Sequence, residues 1–268
     1  MGAPAVGKKR SLIIKEEATR GVSRGPSGAD DIGSTDFNIP FMDISFTAEK
    51  PITEGKYATG DFDTFPGVVG TSSGTITASA YLAHQGGPAD APNIGKALSM
   101  AGLRKTTVPD TSVTYDPISS YEIGPLGKTC TCIIQDVMAN GGSAIHHEFV
   151  GCLANIKFVA EGIGMPWRCD FEITGKYNGY TDQTALTVGT LDTTVPNAVK
   201  SATITSGGDV QRISQFEIDM GNAIELENDP SDASGYLAAV ITDRTPILSW
   251  DPLVDVLATD PVYTRWNA

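Results

Sequence analysis

The sequence predicts a mainly β protein, an antiparallel β-sandwich or open barrel with one flanking α-helix. Three observations carry this. Stretches of strand length with alternating apolar and polar residues recur along the chain, most cleanly at 75–83, 154–160 and 167–177. One stretch alone, 92–102, has helical spacing. Strands stand on both sides of that helix, which is not the strand–helix alternation of a parallel α/β fold. An apolar content of 40% is enough for a core, and 29 glycines and 16 prolines supply many turns.

Residues 1–36 read as a flexible N-terminal arm. Gly, Ser, Pro and Ala recur there without period, and such a segment buries too little to offset its ordering entropy. Leu12-Ile13-Ile14 is its one apolar run, too short for a secretory signal. The main β-domain is expected over 37–248. It opens with a strap from Phe37 to Ala48, interrupted by Pro40. Between Thr75 and Ala83, Ile76, Ala78, Ala80 and Leu82 take one face of a strand. The helix follows, with Asp90 as N-cap, Pro92 in the first turn and Gly102 at the stop. Its Ile94, Ala97, Leu98 and Ala101 share a face, so it should pack on a sheet. Ser112 to Pro117 is a Thr-bearing strand.

Thr129 to Met138 and Ser143 to Val150 form a hairpin around Asn140-Gly141-Gly142. Gly151 to Glu161 reads as the next strand. In 167–177, Trp167, Cys169, Phe171 and Ile173 face in, while Arg168, Asp170, Glu172, Thr174 and Lys176 face out. Residues 181–198 read as a loop. Alternation resumes at Val199 to Thr205. A second hairpin is expected from Gln211 to Met220 and Ala223 to Glu227, turning at Gly221-Asn222, and Tyr236 to Thr242 is a further strand. Residues 249–268 are a C-terminal segment with a helical turn at Pro252 to Leu257.

Net charge is −13, unevenly spread. Residues 1–28 carry six basic and two acidic side chains, and the remaining 240 carry 13 basic and 30 acidic. So acidic a body repels a nucleic-acid backbone. It serves either solubility or a surface that DNA slides past. No run approaches a membrane-spanning length, so no membrane insertion is expected.

Catalytic patterns fail on context. Gly70-Thr71-Ser72-Ser73-Gly74 has the letters of a nucleophile elbow, but an alternating strand follows where a helix is required. His84, His146 and His147 are the only histidines. The last two are strand neighbours pointing to opposite faces. His146 and Glu148 share a face with no nucleophile beside them. Cys130 and Cys132 lack zinc-knuckle spacing, and with Cys152 and Cys169 read as buried reduced thiols. Phosphate-binding glycine motifs are absent. The sequence therefore predicts no enzyme, no cofactor and no metal site. If the second hairpin is in register, Glu217, Asp219, Glu225 and Glu227 crowd one face, against the usual penalty for like charges. A solvated face, a channel lining or a cation site would each tolerate that crowding, in that order of preference.

The order of motifs resembles the tail tube (major tail) proteins of long-tailed bacteriophages over about residues 70–268. A small-residue strand leads into a Pro-started helix ending Ala101-Gly102-Leu103. Tyr115-Asp116-Pro117-Ile118-Ser119, Ala154 to Gly162 and Phe171 to Tyr177 follow in turn. Thr245-Pro246 to Asp251-Pro252 and Tyr263-Thr264-Arg265-Trp266 close the pattern. The long arm and the Cys130 strand depart from it.

The resemblance implies a virion structural protein that oligomerises into hexameric rings, completing its open sheet to a closed β-barrel ring. The rings stack into a tube for genome ejection. Implied partners are further copies of the chain, the tape measure, terminator and baseplate proteins, and DNA passing without sequence recognition. The implied location is the virion tail, with assembly in the host cytoplasm. Glu217, Asp219, Glu225 and Glu227 become candidate lumen-facing residues. Arg168, Asp170, Glu172 and Lys176, of mixed sign, become candidate subunit-interface residues. The arm and the loops at 55–70 and 181–198 would order against neighbours. The alternatives are a tail terminator, a baseplate hub, a capsid decoration protein or a non-viral β-sandwich binding module.

Overall fold

The computed structural model describes residues 5–25, 31–53, 67–83, 86–87, 90–118, 128–138, 142–191, 194–196, 198–200, 204–206, 209–211 and 213–252. In chain order its elements begin with β1 (Ala5–Glu16), β2 (Met42–Glu49), β3 (Ile52–Thr53), β4 (Val68–Val69) and β5 (Ser73–Tyr81). Helix α1 (Gly95–Met100) precedes β6 (Leu103–Val108), β7 (Ser112–Pro117), β8 (Cys130–Met138), β9 (Ser143–Ala160) and β10 (Arg168–Thr184). Then come β11 (Ile204–Ser206), β12 (Asp209–Gln211), β13 (Ile213–Asp219), β14 (Asn222–Asn228), β15 (Tyr236–Arg244) and β16 (Ile247–Pro252).

One antiparallel sheet dominates, in the order β1-β8-β9-β10-β5-β2. The long β9 organises it. One end of β9 pairs with β8, the other end with β13, and β13 in turn pairs with β16. The sheet is not closed. Its two ends nevertheless approach, because Arg10 of β1 lies 5.2 Å from the ring centre of Phe46 in β2. The inner face is covered by α1 and by the separate β14–β15 pair, which together make the second layer of a sandwich. Ile76, Phe149, Leu153, Ile156 and Ile173 from the sheet meet Leu98, Met100, Ala239 and Ile241 from the cover. Period-two alternation dictates this packing, since Cys169, Phe171 and Ile173 are buried while Glu172 between them is exposed.

Several elements depart from the sequence expectation. Within the expected arm, Ala5–Glu16 forms a strand paired to β8 from Arg10↔Asp136 to Glu16↔Cys130. Leu12 and Ile14 enter the main core, and Ile13 packs on the opposite side with Ile32 and Ile133. A strand buried on both faces shows a continuous apolar run, not an alternation. The helix is shorter than 92–102. Ile94 stands at its N-cap, and the Asp90 carboxylate accepts a hydrogen bond from the Gly87 amide at 2.7 Å. Leu103–Val108 is an additional strand, hairpinned to β7 and exposed beyond Leu103.

The strands expected on either side of Gly151 are one strand, β9, with a bulge at Gly151, where φ is +65°. Lys176 keeps the outward register expected of it, opposite Ser73, but is buried, with its ammonium paired to Asp232 of the turn before β15. The expected loop at 181–198 begins later, because β10 runs to Thr184. His84, Asn140-Gly141, most of the 55–70 loop, the helical turn beyond Pro252 and the closing 263–266 motif lie outside the described residues.

The four cysteines are free and buried. Burial pushes the Cys169 thiol up to about 12, and raises Cys130 and Cys152 well above the usual thiol range. They behave as small apolar side chains. Ser72 is likewise structural, since its hydroxyl is buried and donates to the Tyr177 carbonyl at 2.7 Å. Ser72→Ala is expected to lower stability by about 1 kcal/mol in urea unfolding, the worth of one buried hydrogen bond.

Candidate functional site

The hairpin expected around Gly221-Asn222 does not form. β13 pairs with β9 and β16, whereas β14 pairs with β15. Type I′ hairpin turns need positive φ at both central residues and type II′ turns only at the first, so the turn dihedrals do not by themselves decide against a hairpin. Here Gly221 has φ +60°, and Asn222 is not among the positive-φ residues. Asn222 is instead buried, and its side-chain amide donates to the Ala101 and Ala154 carbonyls at 2.9 and 3.0 Å. The Arg244 guanidinium donates back to Asn222 Oδ1 at 2.7 Å. The segment is therefore a crossing between layers, and the four carboxylates do not share one face.

Glu217 and Asp219 go to the outer face of the main sheet. Registers continue across the strands there. Asp219 stands opposite Lys157, Lys157 opposite Asp170, and Asp170 opposite Ser79. Glu217 stands opposite Val159, which stands opposite Arg168. Asn155 pairs with Glu172, and Glu172 with Thr77. Cross-strand partners share a face. Two of the four candidate lumen residues and three of the four candidate interface residues thus occupy one polar surface. Asp43, with φ +52°, lines the same shallow depression as Thr77, Lys157, Asp170 and Glu172.

Ion pairs fix this surface. Lys157 Nζ lies 3.0 Å from Asp219 and 3.5 Å from Glu217. Partial burial acts to raise the Asp219 pKa, but hydrogen bonds from Asn155, the Gly221 amide and Lys157 outweigh it and hold the carboxyl below the usual range. Arg168 reaches both Asp170 oxygens, at 2.8 and 3.0 Å, and pairs with Glu161. Glu161, Asp170, Glu172, Glu217 and Asp219 together outnumber Lys157 and Arg168, so the face is net negative.

The other candidates lie elsewhere. Glu225 is exposed on β14, and Glu227 meets Arg20 at 2.6 Å. Lys176 is 7% exposed and pairs with Asp232 at 2.7 Å. His146 is buried and meets Gln135 at 3.0 Å, while His147 lies among Phe46, Tyr177 and Tyr180. Burial holds both imidazoles below their ordinary pKa. The signal for the shared outer face was present in the alternation of 167–177 and 154–160. The pairing of β13 with β9 was not, because it joins segments distant in sequence.

A family model described as phage tail tube protein matches residues 7–248 of this mainly β chain. The chain belongs to the phage tail tube protein family. The match includes most of β1. Membership makes it a structural protein of the virion tail, one that associates with its own kind and with other tail components. No curated protein matches the chain. Among the described residues, no helix is long and apolar enough to cross a membrane.

Proposed function

We propose that this tail tube protein assembles into hexameric rings in which neighbouring copies pair their open sheet edges. The acidic outer face of β13-β9-β10-β5 then lines the channel through which DNA leaves the virion. The observation that carries this reading is that one sheet is apolar on its inner face, acidic on its outer face and unclosed. An unpaired edge invites another strand, and closure between copies removes the edges and makes a bore. Carboxylates lining a bore repel phosphates, so DNA passes without sticking. Arg168 and Glu161, near the end of that face, suit contacts between copies. Nothing in this role calls for catalysis, a cofactor or a resident metal. Assembly takes place in the host cytoplasm, where the tape measure, terminator and baseplate proteins are met.

Negative-stain microscopy of the concentrated protein tests this directly. Rings or tubes with a central hole are expected, and persistent monomers at all concentrations would refute it. The channel face has its own test. Phage carrying Glu172→Lys with Glu217→Lys should form tails of normal length but lose infectivity by about tenfold or more, through DNA retarded in a less negative bore. Phage carrying Glu225→Lys should eject normally, since Glu225 lies on the other layer.

A further inference from the structure

Among the described residues, a cluster of positive charge lies away from the sheet's outer face. A cleft of about 700 Å³ opens between α1, the base of the β6–β7 hairpin and the end of β1. Its wall carries Lys15, Lys96, Arg104, Lys105 and Lys128, five of the chain's 19 basic residues, against the carboxylates Glu16 and Asp36. Asp36 holds Lys15 at 3.3 Å and Lys96 at 2.9 Å, and Glu16 holds Lys128 at 2.8 Å. Arg104 stands opposite Asp116 across the β6–β7 hairpin, so the positive excess of the wall rests on its four lysines against Glu16 and Asp36, on a molecule of net charge −13. It also contains polar atoms with unused capacity. The Tyr115 hydroxyl and the Asn38 carbonyl oxygen are buried without a hydrogen-bond partner. The charge acting on the Tyr115 hydroxyl is the Glu16 carboxylate, so the attraction for a carboxylate comes from the cationic side chains of the wall.

We infer that this cleft is a docking site for a carboxylate-bearing surface of a second copy of this chain. The inference rests on the self-assembly described above and adds the place where it happens. Charge complementarity selects the occupant. Copies of charge −13 repel one another at a distance, so their association requires local sites where opposite charges meet. The cleft supplies the cationic half, and the rest of the surface supplies the anionic half in abundance. Exposed, cross-strand β6–β7 projects beside the cleft and gives the second copy a wall to lie against.

The test uses the full-length protein. Lys105→Glu with Lys128→Glu reverses two cations of the rim, and Lys128 is 68% exposed, so the fold should be retained with an unchanged circular dichroism spectrum and unfolding midpoint. Sedimentation should show the concentration needed for assembly raised about tenfold at low salt, with the difference shrinking toward parity near 0.5 M salt as screening takes over. Lys105→Arg with Lys128→Arg should assemble like the parent.

Zero-length carbodiimide coupling of mixed light and heavy-isotope copies should link Lys105 or Lys128 to an Asp or Glu of the other copy. Parent and reversed protein assembling at the same concentration would overturn the inference while leaving tube formation intact. A parent that never assembles would overturn both. If the reversal abolished binding of a short DNA duplex but left assembly unchanged, the cleft would belong to a polyanion instead, and the inference would again fall.

Discussion

Glu17→Ala is expected to destabilise the protein by about 4 kcal/mol. The Glu17 carboxylate gathers four donors from three separate segments. It accepts from the Gly21 amide and the Thr129 hydroxyl, both at 2.7 Å, through Oε2. It accepts from the Thr131 hydroxyl at 3.0 Å and the Gly151 amide at 2.7 Å through Oε1. Gly21 and Gly151 both have positive φ, and a side chain at either would run into Leu237 or Ala238 of β15. Two amides of unusual backbone conformation are therefore held at one point, where β1 ends, β8 begins and β9 bulges. Alanine removes the acceptor from all four donors of this half-buried site, and each costs about 1 kcal/mol where water does not replace the carboxylate. Gln restores the shape but exchanges two acceptor lone pairs for donors, so Glu17→Gln should recover only part of the loss. Chemical denaturation of both variants at neutral pH checks the order. A loss below about 1 kcal/mol for Glu17→Ala would show that water replaces the carboxylate freely.

The same residue shows what was and was not legible in the sequence. Alternation placed β5 and β10 because each has one wet and one dry face, and the Asn-Gly-Gly turn signal placed the β8–β9 hairpin although β8 is buried on both faces from Cys130 to Gln135. Alternation also put Asp170 and Glu172 on the surface correctly. β1 escaped because Leu12, Ile13 and Ile14 are buried on both sides, and because its pairing depends on Glu17 contacts with residues more than 100 positions away. β13 and β14 were joined into a hairpin because Gly-Asn has turn chemistry, yet a buried Asn222 bound to Ala101, Ala154 and Arg244 turns the chain across layers instead. The acidic surface was legible as composition, and its assembly from β13, β9 and β10 was not. Local pattern reports which residues are wet. It does not report which strands are neighbours.

Asp232→Ala is expected to cost about 2 to 3 kcal/mol, whereas Lys176→Met should cost well under 1 kcal/mol. The asymmetry follows from burial. The Lys176 side chain is 9% exposed, while that of Asp232 is 30% exposed. Removing the carboxylate strands an ammonium group in a site that water scarcely reaches. Removing the ammonium leaves a carboxylate that water solvates, and that still accepts from the Ser234 amide at 2.8 Å and hydroxyl at 2.6 Å. The partial exposure of Asp232 keeps the first figure below that of a fully buried pair. The Lys176 hydrogen bond, and after it the Ser234 hydroxyl, lower the Asp232 pKa to about 2. A carboxyl that is more acidic folded than unfolded stabilises the native state above its unfolded pKa of about 4. That contribution fades as pH falls from about 4 through about 2. Native stability should therefore drop across this window, and the part of the drop due to Asp232 should vanish in Asp232→Asn. The double variant Asp232→Ala, Lys176→Met should be more stable at neutral pH than Asp232→Ala alone, because it removes the stranded charge. If Asp232→Ala proved no worse than Lys176→Met across pH 2 to 7, the buried lysine would have to reach solvent by another path, and burial would not be the source of the asymmetry.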